Sequence, residues 1–328
     1  MSVPLSVLDL AKVGPETPPA QAVRDVVDVA RAADESGYHR FWVAEHHASP
    51  RTAGSAPVVL IAAVAAATRR IRAGSGGVML PNHAPLVVAE QFAVLEALHP
   101  GRIDLGVGRS SGGSKAGRHL EAALRRDAKA TSDFPALVDE LLAFQHPELH
   151  PAHPYPSVEV SPRVDTSADV FVLGSSENGA RVAAERSLPF VYGHHLGLGK
   201  ARPAAVSAYR SAFVPGPYGS RPKVLASVNV VCAETDALAA DLALAAARDE
   251  VRARAETPLT EARELYLAHK AVTDAAVLHG SRATVLAGAA RLAEDLTADE
   301  LILVPYETSG PARVRTVREA GLPALVAS

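Results

Sequence analysis

IRAGSGGVMLPNHAPLVVAEQFAVLEALHPGRIDLGVGR, residues Ile71–Arg109, reads as strand, helix, strand, with an unusual residue choice at the end of each strand. The first strand, Ile71–Met79, carries Gly74, Gly76 and Gly77 before breaking at Pro81-Asn82-His83. Glycine inside a strand weakens it and packs nothing, so it marks a close approach by backbone or ligand. The second strand, Arg102–Val107, runs into Gly108-Arg109-Ser110-Ser111-Gly112-Gly113, a polar loop headed by a guanidinium. Between them Pro85–His99 reads as a helix with Leu86, Ala89, Phe92, Ala93, Glu96 and Ala97 at helical spacings. A βαβ unit with bare backbone at one strand end and a cation at the other suits a flat, anionic cofactor.

The same alternation extends in both directions. Upstream lie strands over Leu5–Leu10 and His39–Glu45, each followed by a helix. Downstream lie strands over Val170–Leu173, Pro189–Tyr192, Val224–Val231 and Leu301–Val304, with helices between. Eight apolar strands alternating with helices predict a parallel sheet closed as a (β/α)₈ barrel, a single domain over residues 1–328; a doubly wound open sheet is the alternative. Two segments depart from the plan. Ser114–Asp133 is polar, basic and aperiodic, a candidate lid, and Thr257–His279 reads as two added helices in an insertion over 251–280.

Bulk properties narrow the function. The net charge of −3, with both signs dispersed, gives no basic patch for nucleic acid or an anionic membrane. No apolar run reaches the length of a membrane span, and Met1–Leu10 lacks the basic start of a secretory signal. The single cysteine, Cys232, excludes an internal disulfide and suits a cytoplasmic location.

In a (β/α)₈ barrel the chemistry sits at the carboxyl ends of the strands. Those ends read Asp9, Glu45-His46-His47, Pro81-Asn82-His83, Arg109, Ser175-Ser176, His194-His195 and Tyr306, whereas the opposite ends offer mostly alanine, arginine and proline. Ser175-Ser176 closes a strand and opens the helix Glu177–Arg186, so hydroxyls and free N–H groups can receive a phosphate; Ser176 is equally a plain helix cap. Arg109, one strand earlier, is close enough to fork onto the same phosphate. Alternation along a strand puts His46 and His47 on opposite faces and Glu45 with His47. Gly106-Val107-Gly108 with Gly112 only imitates a dinucleotide fingerprint, since no apolar helix follows. The string His146-Pro147-Glu148-Leu149-His150-Pro151-Ala152-His153 reads as a proline-rich linker rather than a metal site, and Cys232 as a small buried group.

Four segments together resemble the bacterial luciferase-like flavin monooxygenases, in particular their single-gene branch. They are Phe41–His47, Gly74–Pro85, Pro100–Arg109 and Leu173–Ser176 with Leu188-Pro189-Phe190. The resemblance implies FMN, used in its reduced form, at the carboxyl mouth of the barrel of a homodimer. It implies Arg109, Ser175 and Ser176 at the phosphate, Glu45 beside the cofactor, and Gly76-Gly77 at the place of a non-proline cis peptide behind the ring. His46 matches the histidine acting at the reactive flavin edge, and Asp9, Asn82, His83 and His194 fall at the substrate pocket. Where luciferase has a cysteine and a threonine this chain has Gly108 and Gly179. The implied reaction delivers oxygen from O₂ to a small organic substrate through a C4a-peroxyflavin, with a separate NAD(P)H:flavin reductase supplying the flavin. Deazaflavin F420 hydride transfer on the same fold, and a non-catalytic flavin-binding protein, are the alternatives.

Overall fold

The computed structural model describes residues 3–110, 117–126, 129, 133–150, 155–197, 203–255 and 257–321. Its strands are β1 (Leu5–Asp9), β2 (Arg40–Val43), β3 (Arg72–Met79), β4 (Ile103–Gly108), β5 (Asp169–Gly174), β6 (Phe190–Tyr192), β7 (Val224–Cys232), β8 (Leu278–Gly280) and β9 (Glu300–Pro305). All pairings between them are parallel. β1 through β7 and then β9 close an eight-stranded ring, because β6 pairs β7, β7 pairs β9 and β9 pairs β1. The expected (β/α)₈ barrel is therefore the fold. β8 hangs on the carboxyl end of β7, with Val230, Val231 and Cys232 opposite Leu278, His279 and Gly280.

The helices are α1 (Pro19–Glu35), α2 (Pro57–Ala67), α3 (Pro85–Leu98), α4 (Gly117–Ala123), α5 (Phe134–Gln145), α6 (Glu177–Glu185), α7 (Pro203–Ala212), α8 (Asp236–Arg254), α9 (Glu261–Asp274), α10 (Arg282–Asp295) and α11 (Gly310–Ala320). Proline opens each of α1, α2 and α3, where its missing N–H is no loss and its fixed φ fits the first turn. α1 stops at Gly37, whose φ of +75° any side chain would resist.

Two expectations are corrected. Thr257–His279 holds one helix, α9, and the start of the strand β8, not two helices: a strand of three residues, Leu278-His279-Gly280, leaves no period to read. Within Ser114–Asp133 the described residues include the helix α4, with no buried residue, where aperiodic chain was expected. Residues 114–116, 127–128 and 130–132 of that candidate lid lie outside the described residues. Among the described residues no helix is long and apolar enough to cross a membrane.

The period-2 alternation of the strands fills the barrel. Leu8, Trp42, Ala44, Phe171, Val191, Leu225, Ile302 and Val304 face inward as one cluster, while their neighbours pack the helical layer. Trp42 meets Phe171 edge-on at 5.0 Å, and that bulk is why β3 and β4 are glycine-rich opposite it. A Cβ at Gly74 would stand 2.8 Å from Trp42 Nε1, and one at Gly76 would stand 2.7 Å from Leu8 Cδ1. The amino end of the barrel is closed by buried charge: Arg40 binds Asp104 at 2.8 Å and Glu300 at 3.0 Å, and Arg72 reaches Asp104 and Asp169, each at 2.7 Å. This end is not merely alanine, arginine and proline. Its carboxylates, Asp104 and Glu300, come from within two strands and neutralise the arginines that begin two others.

Candidate functional site

At the carboxyl mouth the organising group is Glu45, fully buried just past β2. Its Oε2 accepts the Met79 N–H at 2.9 Å, and its Oε1 lies 2.7 Å from His47 Nε2, 2.9 Å from His83 Nε2 and 3.4 Å from Asn82 Nδ2. Burial by itself would raise the carboxyl's pKa; the bonds from His83, Met79 and His47 more than reverse this, so Glu45 stays an anion. Four of the expected residues or their neighbours (Glu45, His47, Asn82, His83) thus form one network between the ends of β2 and β3. His46 makes no hydrogen bond to this network, and its backbone N–H donates to Gly54 O at 2.7 Å. Its Nδ1 is buried without a partner, and burial lowers the ring's pKa, so it is neutral near pH 7.

The Gly76–Gly77 peptide bond is cis, and the β3–β4 register shifts there, between Gly76 and Val78. The neighbouring Gly106 answers to packing alone: a Cβ there would lie 2.1 Å from Ser75 O, so the dinucleotide-like spacing is a strand-contact requirement. A second group of glycines differs. At Gly108, Gly174 and Gly179 an added Cβ would meet nothing nearer than 3.4 Å, 3.7 Å and 3.7 Å respectively. Gly174 and Gly179 face each other at the junction of β5 and α6, and Gly108 is paired with Leu173. Ser176 caps α6 by accepting the Gly179 N–H at 3.3 Å, and Ser175 precedes it on the same turn. Arg109 lines one cleft of about 400 Å³ with Phe134 and Pro135 of α5 and with Asn178, Gly179, Arg181, Val182 and Glu185 along α6. Arg109 and the start of α6 thus meet at one cleft, with the uncrowded backbone of Gly179 on it and the Ser176 cap behind Gly179.

Across the mouth the structure departs from the sequence-based expectation. Asp9 is on the outward face of β1, buried and ion-paired with Arg313 of α11 at 2.5 Å. It is not brought to the other expected pocket residues. After β6 the chain makes a short 3₁₀ turn, His194–Leu196, so strand alternation no longer predicts which histidine turns in. His195 does: its Nδ1 is 2.6 Å from Ser227 Oγ, whose hydroxyl donates to Tyr192 O at 3.2 Å. Burial drives its pKa down to about 3, and the charge of Lys12 pushes the same way. Lys12, three residues beyond β1, carried no signal in the sequence. His194 is half-buried against Tyr192, its pKa also lowered by burial.

The remaining expectations resolve simply. His150 Nε2 pairs with Tyr218 OH at 2.8 Å and His146 with Ser167 at 3.0 Å, residues 151–154 lie outside the described residues, and among the described residues no three potential metal ligands cluster. Cys232 is buried in β7, and burial pushes its thiol up to about 11.

This geometry has relatives. The family model described as luciferase-like monooxygenase matches residues 3–302. The chain belongs to the luciferase-like monooxygenase family. It is 41% identical to the uncharacterized protein YwcH of Bacillus subtilis (strain 168) over 73% of this chain and 71% of that one. It is 38% identical to a luciferase-like monooxygenase of Escherichia coli (strain K12) over 72% and 68% of the two chains. Among solved structures, apo-MsnO8 superposes with a TM-score of 0.83 at 35% identity, covering 97% of this chain and 96% of its own. Two solved structures of lower identity share the fold. One is the oxygenating constituent of 3,6-diketocamphane monooxygenase from a Pseudomonas putida plasmid, solved with FMN (TM-score 0.70, 19% identity, 99% and 98% covered). Another is an F420-dependent secondary alcohol dehydrogenase (0.62, 14%, 99% of each).

Proposed function

We propose that this luciferase-like oxidoreductase is an FMN-dependent monooxygenase that takes reduced FMN from a separate NAD(P)H:flavin reductase and oxygenates a small organic molecule with O₂. The observation that supports the reading is the cleft where Arg109 meets Gly179 at the start of α6, behind the Ser176 cap and next to the uncrowded glycines 108 and 174, which suits a phosphomonoester on a flat ring. FMN, once bound, supplies the electrons and the reaction with O₂.

The chain's own residues do the rest. Arg109 and the α6 N-terminus anchor the phosphate. Glu45 holds Met79, His47 and His83 so that the Gly76–Gly77 backbone stays fixed behind the ring. His46 Nδ1, neutral and otherwise unpartnered, accepts and returns a proton at the reacting edge. Asn82, His83 and His194 line the substrate side.

The active unit is a homodimer. α2 is apolar on every side, and α3 leaves Val87, Gln91, Val94 and Leu98 exposed in a 4-3-4 stripe beside the exposed Val59, Ala63 and Ala66 of α2. Val59 and Leu98 are 67% and 63% exposed, which suits a face that a second copy covers. The free thiol of Cys232 and the absence of membrane-length helices among the described residues suit a cytoplasmic enzyme.

The test pairs FMN binding, followed by fluorescence quenching, with O₂ uptake in the presence of NADH and a generic flavin reductase. Wild type binds FMN at micromolar concentrations and consumes O₂ in the presence of substrate; His46→Ala keeps the affinity and loses oxygenation. Binding of F420 in place of FMN, with no O₂ uptake, would assign hydride transfer instead. FMN affinity with no oxidation under any reductase would leave a binding protein.

A further inference from the structure

Two loops at the carboxyl mouth are laced together, and the lacing starts at a buried ion pair. Asp9, at the end of β1, and Arg313, on α11, are each 1% exposed. Asp9 Oδ1 accepts from Arg313 Nη1 at 2.5 Å and from the backbone N–H of Ala11 at 2.6 Å. The second bond closes a turn in which Ala11 has a φ of +49°, a left-handed backbone that a residue with a Cβ keeps only when its surroundings hold it. Ala11 O then accepts the Ala53 N–H at 2.9 Å, and Val13 donates to Arg51 O at 2.8 Å, so that 11–13 and 51–53 pair as an antiparallel bridge centred on Lys12 and Thr52. Next along, Gly54 O accepts the backbone N–H of His46 at 2.7 Å. A Cβ at Gly54 would lie 2.8 Å from Ala44 O and 3.6 Å from the Ala11 methyl, so the returning chain lies close between the end of β2 and the Ala11 turn. Each step from Arg313 to His46 is a hydrogen bond or a neighbour in the chain.

The guanidinium does little else. Among the described residues its Nε and Nη2 have no hydrogen-bond partner, nor has Asp9 Oδ2, and Asp25 Oδ2 stands 3.7 Å from Nη2. An arginine carries five N–H donors in a fork, and a buried one ordinarily spends several of them. Here one side-chain donor meets one oxygen, and that oxygen is the one that fixes Ala11. α11 is seated directly on α1 beside the pair, since a Cβ at Gly310 would stand 2.2 Å from Asp25 Cγ.

We propose that Asp9 and Arg313 are positioning residues for His46: the ion pair fixes the turn at Ala11, and the paired loops carry that geometry to the backbone of the residue that works at the flavin edge. This rests on the monooxygenase reading and adds two residues on which its proton-handling group depends. Asp9 loses its place in the substrate pocket and takes one behind His46.

The test has two arms. In the flavin-free protein, backbone hydrogen exchange is followed by mass spectrometry for wild type, Arg313→Met and Arg313→Lys. Exchange over residues 11–13 and 46–54 rises at least tenfold in Arg313→Met and returns most of the way in Arg313→Lys, whose ammonium still reaches Asp9. The end of β3 at Met79, which Glu45 holds by a separate bond, keeps its wild-type rate. In the FMN-loaded protein, stopped-flow absorbance follows reoxidation of reduced FMN by O₂, with no organic substrate, for the same variants and for His46→Ala alone and combined with Arg313→Met. Arg313→Met moves the reoxidation rate at least fivefold from wild type toward His46→Ala, and FMN affinity stays within twofold. In the His46→Ala background Arg313→Met has no further effect on that rate.

Unchanged exchange over 46–54 in a folded Arg313→Met overturns the proposal, as does exchange that rises equally at Met79. So does an effect of Arg313→Met on reoxidation that persists in full without the His46 ring. If Arg313→Met does not fold, Arg313→Lys carries the same comparison, with smaller shifts confined to the same segments. Reoxidation that is identical in wild type and His46→Ala would sink the role given to His46 in the monooxygenase reading and leave its link to Arg313, read by exchange, standing.

Discussion

Glu45 Oε1 and His47 Nε2 lie 2.7 Å apart, two residues along one strand end, with the carboxylate fully buried and the imidazole at its edge. Because the same carboxylate also accepts from Met79 and His83, one side chain fixes the ends of β2 and β3 to each other. Glu45→Gln is expected to cost about 2–3 kcal/mol at pH 7, since buried donors lose their charged acceptor. The folded pKa lies below the ordinary value of 4.5, so this contribution is complete above about pH 4.5 and fades as pH falls through the folded pKa. Denaturant titrations from pH 7 to 3 should therefore show the gap between wild type and variant closing on the acid side; a constant gap would contradict it.

His195 titrates in the same direction, over a higher pH window. Its folded pKa of about 3 lies below the unfolded value of 6.5, so between those values the unfolded chain binds the extra proton. Stability then falls with decreasing pH, by a slope approaching about 1.4 kcal/mol per unit from this group. His195→Gln should be flatter than wild type between pH 6.5 and 4 in the same titrations.

The two kinds of glycine at the strand ends separate in a melting experiment. Gly106→Ala drives a methyl to 2.1 Å from Ser75 O, which is backbone and cannot yield, and should cost about 3 kcal/mol or more. Gly108→Ala meets only the flexible Met79 Sδ at 3.4 Å and should stay within about 1 kcal/mol of wild type. Similar melting temperatures for the two variants would mean that the β3–β4 contact is not the constraint described.

Ser176 both caps α6 and borders the proposed phosphate site, and Ser176→Asp separates these roles. Aspartate is as good a cap, so thermal stability should be unchanged. Its charge should repel the phosphate and weaken FMN at least tenfold while leaving riboflavin binding as it was. Equal losses for both flavins would place the phosphate elsewhere.

Light scattering should give wild type twice the 34.2 kDa chain mass. Val59→Glu with Leu98→Glu, both on exposed positions and so neutral to the monomer fold, should return the chain to its single mass. A dimer that survives the double change would use another face.

Much of the barrel was legible because two periods carry it. Val7, Leu8 and Asp9 alternate across β1, and α1 begins at a proline and ends at Gly37, signals that depend only on neighbours in the chain. The proposed phosphate rim draws on the same kind of signal: Ser175-Ser176 and Gly108-Arg109 stand at the ends of β5 and β4, which pair with each other. Other features left no local trace. Lys12 is one lysine in a loop until Tyr306, nearly three hundred residues later, covers it. Asp9 stands at a strand end like Glu45, yet α11 supplies Arg313 and takes it out of the mouth. The 3₁₀ turn at His194–Leu196 cancels the alternation that would have chosen between two histidines.

The sequence by itself determined the strand–helix alternation, the closed barrel and the end at which chemistry is placed, because hydrophobic period and turn residues are properties of contiguous chain. Tertiary structure alone decided which charged groups are spent on one another and which remain available. That outcome depends on partners brought together from the two ends of the chain, where burial and distance, not residue type, set the charge.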